Sequence, residues 1–178
     1  MEIVPIFGEY LKAIKYPYEE KDEFARLFEL WQDAEYLEEF FEFHKADLTS
    51  GFWDDIDVNS AILETYDYAE IFEQRLCELS SQSSKGVKSG LDKIFKPLHD
   101  SQTQVISLGK SKAKQNWLRI YALRIESNVY VITGGAIKLT RTMQEREHTN
   151  RELERMEAVR NFLIQHGIDS NTIESFES

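Results

Sequence analysis

The chain has 178 residues, of which 42% are hydrophobic and 12% aromatic, enough apolar material for a buried core and too much for extended disorder. Its formal net charge is −11 at pH 7, which excludes a uniformly basic nucleic-acid-binding protein. Its one cysteine, Cys77, excludes an intramolecular disulfide and a cysteine cluster for zinc or iron–sulfur.

The N-terminal residues predict neither a secretion signal nor a membrane anchor. They lack a basic segment followed by an apolar core, and no run in the chain approaches about 18 apolar residues. We therefore expect a cytoplasmic protein that does not bind membranes.

The first half of the chain predicts a hairpin followed by helices. Apolar residues alternate around Gly8 in residues 2–16, which is typical of two strands joined by a turn. In residues 20–47 apolar residues recur at helical spacing, with a break near Gln32. A second long helix is expected from a cap at Asn59 or Ser60 to about Leu79.

The second half predicts strands and one more helix. Residues 80–90 read as a linker, residues 91–98 as a short helix stopped by Pro97, and the tail from Asp169 as loosely held. Strands are predicted at residues 104–108, 117–126, 129–133 and 136–141, with Ser127-Asn128 as a hairpin turn. Residues 146–166 predict a closing helix capped by Gly167.

The charges are unevenly distributed over these elements. Residues 1–80 contain 6 Lys and Arg against 21 Asp and Glu, a net charge of −15. Residues 85–141 contain 11 against 3, a net charge of +8. Exposed charges more than about 10 Å apart are largely screened, so a basic surface can form on an acidic protein. Two interpretations stay open: a functional basic patch, or solvated lysines beside an acidic half that supplies solubility.

Residues 91–166 resemble the RelE/HigB-like toxins, particularly a branch related to phage proteins. The matching segments are the helix LDKIFKPL, the strand WLRIYALRI, the strand VYVITGGAIKLTR and the charged helix EREHTNRELERMEAVRNFL. Members of the family typically carry an arginine in the penultimate strand, matched here by Arg119 or Arg124, and a lysine in the last strand, matched by Lys138. The chain departs from the family in its larger size and acidic charge.

The resemblance implies cleavage of mRNA without a metal or another cofactor. The ribose 2′-hydroxyl attacks the adjacent phosphate, and cations stabilise the charge that develops there. Arginine suits this role because its planar fork can hold two phosphate oxygens, and a lysine with a lowered pKa can act as a base. We therefore predict a catalytic set of Arg119, Lys138 and Tyr121. Further RNA contacts are predicted at Lys110, Lys112, Lys114, Arg124 and Arg141.

The alternation of side chains in a strand separates two of these residues. Arg119 and Tyr121 share one face, and Arg124 lies on the other, so Arg119 and Arg124 cannot both point into one cleft. Each candidate also has a structural interpretation: Arg119 paired with an acidic helix, Tyr121 in the core, the lysine loop solvated. His148 is interpreted as a surface residue of the closing helix.

We therefore predict one α+β domain of the RelE-like fold over residues 1–178, with an antiparallel sheet of about four strands, an enlarged acidic helical region at about residues 20–80, and a C-terminal helix. The helices should pack mainly on one side of the sheet. Because both faces of the hairpin at residues 117–133 are fairly apolar, the N-terminal helices are also expected to cover part of the second face. The predicted function is the toxin of a toxin–antitoxin pair, acting on mRNA at the ribosome and bound by a helix-turn-helix antitoxin. The alternative is a non-enzymatic protein-interaction module that uses its acidic helices.

Overall fold

The protein is an α+β structure, seen in a computed structural model that describes residues 1–50, 53, 55–84, 90–98, 116–140 and 145–178. The α-helices are α1 (Glu23–Leu30), α2 (Ala34–Phe43), α3 (Lys45–Leu48), α4 (Val58–Ser84) and α5 (Glu147–Gln165). The strands are β1 (Glu2–Phe7), β2 (Leu11–Lys15), β3 (Lys96–Pro97), β4 (Leu118–Glu126), β5 (Val129–Ile137) and β6 (Glu174–Glu177).

These strands form one mixed sheet in the order β1-β2-β5-β4-β6-β3. The pair β2–β5 is parallel and every other described pair is antiparallel. The sheet therefore has six strands and one parallel pair, where the sequence predicted about four antiparallel strands. The two extra strands, β3 and β6, are short, and their periodicity was too brief to read.

The predicted central hairpin is confirmed. β4 and β5 pair along their length, and Asn128 in the turn has a φ of 64°, a left-handed conformation that asparagine tolerates well. Gly134 and Gly135 lie inside β5 rather than between two strands. The predicted separate strand at residues 136–141 is therefore wrong: Ala136 and Ile137 are the end of β5, and residues 138–140 are not in a strand. The predicted strand at residues 104–108 lies outside the described residues.

The helices cover both faces of the sheet. Helices α1, α2 and α4 pack on the face that carries Ile120, Ala122 and Ile132, and α5 packs on the face that carries Tyr121 and Leu123. The expectation of helices mainly on one side is therefore wrong. Both faces of the central hairpin are apolar, and each needs a cover.

The predicted break between the first two helices is confirmed. Asp22 and Asp33 accept hydrogen bonds from Ala25 N and Tyr36 N, so each aspartate caps a helix. Asp57, rather than Asn59 or Ser60, accepts the first-turn amide of α4 at 3.0 Å. Among the described residues, no helix is long and apolar enough to cross a membrane.

Two predictions about the second half are wrong. Residues 91–98 form a single 3-10 turn at Leu91–Lys93 followed by β3, not a short helix. Pro97 can lie in β3 because β3 is the outermost strand of the sheet, where the missing amide of proline is tolerated. The tail is not loose: Ile173 and Phe176 are buried, and β6 pairs with both β4 and β3.

Candidate functional site

Three predicted catalytic residues meet around one carboxylate beneath α5. Arg119, Tyr121, Lys138 and Glu177 are called here the Arg119 cluster. Glu177 is the register partner of Tyr121, and its Oε2 accepts from Lys138 Nζ at 3.3 Å. Burial lowers the pKa of Arg119, and the charge of Glu177 acts in the opposite direction. The two cations therefore already share a site with an anion.

Arg119 is held in place by the backbone. Its Nη1 donates to the carbonyl oxygens of Asn116 at 2.6 Å and Leu118 at 2.8 Å. These bonds provide acceptors for Nη1 of a guanidinium that is largely buried, and they fix its orientation. The interpretation of Arg119 as the partner of an acidic helix is not borne out, since Glu177 lies on a strand.

Tyr121 contributes a buried hydroxyl. The side chain has no exposed surface, and its oxygen has no hydrogen-bond partner among the described residues. Burial raises the pKa of Tyr121, and the charge of Glu177 adds to this. The hydroxyl therefore stays protonated at neutral pH and acts as a donor rather than a base.

Arg124 lies on the opposite face, as the strand alternation predicted. It forms an ion pair with Glu174, and its guanidinium carbon stands 4.9 Å from the centre of the Phe176 ring. The structure therefore separates Arg124 from the Arg119 cluster. Lys110, Lys112, Lys114 and Arg141, predicted as RNA contacts, lie outside the described residues.

A second charged group, which sequence reasoning missed, joins α1 to α5. Glu23, Arg26, Glu152, Arg155 and Tyr16 are called here the Glu23 cluster. Glu23 is 1% exposed; it accepts from Arg26 Nε and Nη2, both at 2.8 Å, and from Arg155 Nη2 at 2.6 Å. Two arginines thus bind one buried carboxylate through three charge-assisted hydrogen bonds.

The sheet topology creates the space for this cluster. β2 pairs with β5 only as far as Ala13 opposite Ile132, so among the described residues no strand lies beside the rest of that edge of β5. Tyr16 covers the first open carbonyl, its hydroxyl donating to Thr133 O at 2.7 Å. Burial raises the pKa of Tyr16 to about 12, so this donor keeps its proton. The Tyr16 side chain thus satisfies a carbonyl that a neighbouring strand would otherwise bond.

Glu152 connects the two clusters. It is 6% exposed; Oε1 accepts from Arg155 Nη1 at 3.2 Å, while Oε2 has no partner within the described ranges. Burial raises the pKa of Glu152, which favours its neutral form. Oε2 packs against Gly134, the register partner of Tyr121, and the charge of Glu152 also acts on Tyr121. A polar strip therefore runs beneath α5 from Lys138 to Glu23.

A pair of histidines lies at the N-terminus of α5. The rings of His44 and His148 are 5.0 Å apart, and both contact Phe40. His148 Nε2 lies 2.8 Å from Ile137 O; a carbonyl can only accept, so Nε2 carries the proton. Burial lowers the pKa of both rings. His148 is therefore half-buried and neutral, rather than the predicted surface residue.

Only one of the residues that sequence reasoning missed could have been recognised from its position in the sequence. Glu152 falls on the buried stripe of α5, four residues before Met156, and a carboxylate at an apolar position is unusual. Glu23 gave no such indication, because 132 positions separate it from Arg155. His44, which follows α2, and His148, in the first turn of α5, are likewise brought together only by the tertiary structure.

The polar strip offers phosphate-binding cations and a neutral carboxyl. In the part of the chain that the structure describes, no group of three or more His, Cys, Asp or Glu is placed to hold a metal. Lys138 and the arginines supply positive charge, and Glu152 is a buried carboxyl whose raised pKa favours the protonated form that can donate a proton. No protein-family model, curated protein or solved structure matches this chain.

Proposed function

We propose that this chain is the toxin of a toxin–antitoxin pair, a RelE/HigB-like endoribonuclease that cleaves mRNA without a metal. Its partner is a helix-turn-helix antitoxin, and the ribosome is its place of action. The observation that carries the proposal is the Arg119 cluster, in which Lys138 binds a carboxylate that also acts on Arg119. A site with two cations and one anion is suited to a phosphodiester.

In the proposed reaction, the scissile phosphate takes the position of the Glu177 carboxylate. Arg119 and Lys138 then stabilise the charge that develops as the 2′-hydroxyl attacks. The protonated Tyr121 hydroxyl donates to a phosphate oxygen, which gives that buried group the partner it lacks. The bond from phosphorus to the 5′-oxygen breaks as the bond to the 2′-oxygen forms, which leaves a 2′,3′-cyclic phosphate. Because burial raises the pKa of Glu152 and favours its neutral form, this carboxyl donates its proton to the departing 5′-oxygen, and the proton of the 2′-hydroxyl passes to water.

The test is single-turnover cleavage of an mRNA on programmed ribosomes. Arg119→Ala should slow cleavage by roughly a hundredfold, the usual effect of removing one transition-state donor. Arg124→Ala is the matched control, because it removes the same charge from the opposite face of the same strand. Because Arg119 also bonds the backbone, the thermal unfolding temperature of both variants is measured, which shows whether slower cleavage results from unfolding.

If Arg124→Ala slowed cleavage more than Arg119→Ala, the active site would lie on the Arg124 face of the strand. A wild-type protein that cleaves nothing and does not arrest growth on induction would favour the second candidate, a non-enzymatic interaction module. That candidate is supported by the outer surface of α4, where Leu63 and Ile71 are 64% and 61% exposed beside Asp67 and Glu70. Inducible expression with and without the neighbouring gene distinguishes the two.

A further inference from the structure

The two arginines of the Glu23 cluster outnumber the carboxylate that they share. Glu23 uses both oxygens on Arg26 and Arg155. Glu152 makes one 3.2 Å bond to Arg155 and leaves its other oxygen unpartnered within the described residues, although its side chain is more than nine-tenths buried. With Glu152 in its neutral form the group carries one uncompensated positive charge.

Part of each guanidinium faces solvent. The side chains of Arg26 and Arg155 are 27% and 29% exposed. Arg26 Nη1 and Arg155 Nε make no hydrogen bond to any described residue, and neither atom is sealed from solvent. Each of the two arginines that share the buried carboxylate therefore keeps a donor that is accessible to solvent.

Both guanidiniums are already held in position. Glu23 fixes them from α1, and the Arg155 guanidinium carbon stands 4.3 Å from the centre of the Tyr16 ring. Arginine forks fit the oxygens of a phosphate, and a pre-oriented pair loses little side-chain entropy on binding. Buried Arg–Glu–Arg groups can be structural. A group that only links α1 to α5, however, needs neither solvent-accessible donors nor more arginines than bound carboxylates.

We propose that Arg26 and Arg155 form a binding site for a phosphate group, carried either by a small phosphate compound or by the backbone of a single-stranded RNA. This site lies at the open edge of β5, apart from the Arg119 cluster, and it does not depend on the cleavage reaction. The anion binds the solvent-accessible donors of two arginines that share one carboxylate, Glu23.

The experiment titrates the full-length protein with two probes, inorganic phosphate and a short single-stranded RNA, by calorimetry and by amide chemical shifts. Arg155→Gln should weaken binding at least about tenfold. Arg151→Gln is the matched control, because Arg151 lies one turn away on α5, is 67% exposed and pairs at the surface with Glu147. Arg26→Gln repeats the test from α1 and serves if Arg155→Gln does not fold.

Each result decides the proposal. Saturable binding of phosphate indicates a site for small anions, and binding of RNA alone indicates a backbone contact; either supports the proposal if the Arg26 or Arg155 variant is selectively weakened. Equal losses in the Arg151 and Arg155 variants would mean general charge attraction and would overturn it. Binding of neither probe by the wild-type protein would overturn it as well.

A proton dependence adds an independent check with sulfate, whose charge is constant near neutrality. The charged and titratable groups that face Glu152 are Arg26, Glu23, Arg155, Tyr16, Tyr36 and Tyr121. Sulfate should bind more tightly as the pH falls through the raised pKa of Glu152, and Glu152→Gln should abolish that dependence. An unchanged pH dependence in Glu152→Gln would contradict the role of the neutral carboxyl.

Discussion

Gly134 is the position at which one added methyl group should disturb the polar strip most directly. A Cβ built there lies 3.0 Å from Glu152 Cδ and nearer still to Oε2, inside any acceptable contact. Glu152 cannot simply swing away, since it is buried beneath α5 and bonded to Arg155. Overpacking of a core costs about 1–3 kcal/mol, and the lost hydrogen bond adds about 1 kcal/mol. We therefore expect Gly134→Ala to lower the free energy of unfolding by roughly 2–4 kcal/mol.

A double-variant cycle measured by urea denaturation tests the cause. Glu152→Ala in the Gly134→Ala background removes the obstructing carboxyl, and a favourable coupling of about 1–3 kcal/mol should appear. Gly135→Ala is the control: its Cβ would meet Arg119 O at 2.6 Å and Leu27 Cδ1 at 2.8 Å, so Glu152→Ala should not rescue it. A Gly134→Ala protein within about 0.5 kcal/mol of the wild type would refute the reasoning, because that change is typical of an open surface site.

Two further predictions concern the unpartnered buried groups. Burial raises the pKa of Glu152 above the usual range of a glutamate, so the folded state holds this proton more tightly than the unfolded state. That stability is fully present below the unfolded pKa and is lost as the pH rises through the folded pKa. Glu152→Gln should therefore be more stable than the wild type near neutral pH, by on the order of 1 kcal/mol, and the difference should vanish in acid; urea denaturation across this range measures it, and a constant difference would contradict it. Tyr121→Phe removes a fully buried hydroxyl without a described partner, so it should leave the stability unchanged or raise it by up to about 1 kcal/mol. In the cleavage assay the same variant should be slower if Tyr121 donates to the phosphate, and an unchanged rate would remove Tyr121 from the mechanism.

The sequence determined the elements whose pattern is local and repeated. The β4–β5 hairpin was readable because Ser127-Asn128 separates two apolar runs at strand spacing, and the paired strands confirm it. The two N-terminal helices were readable from helical spacing on either side of Gln32. The alternation of side chains also placed Arg119 and Arg124 on opposite faces, because that alternation is a property of any extended backbone.

Only the tertiary structure decided which distant residues meet. β6 has four residues, and its pattern is too short to recognise. It forms because it can pair with the free side of β4, and this pairing brings Glu177 to Lys138. Glu23 meets Arg155, 132 positions away in the sequence, because the tertiary structure brings α1 and α5 together. Sequence periodicity reports which face of an element is apolar, but it carries no information on which elements pack together. The charged groups of this protein are defined by that packing.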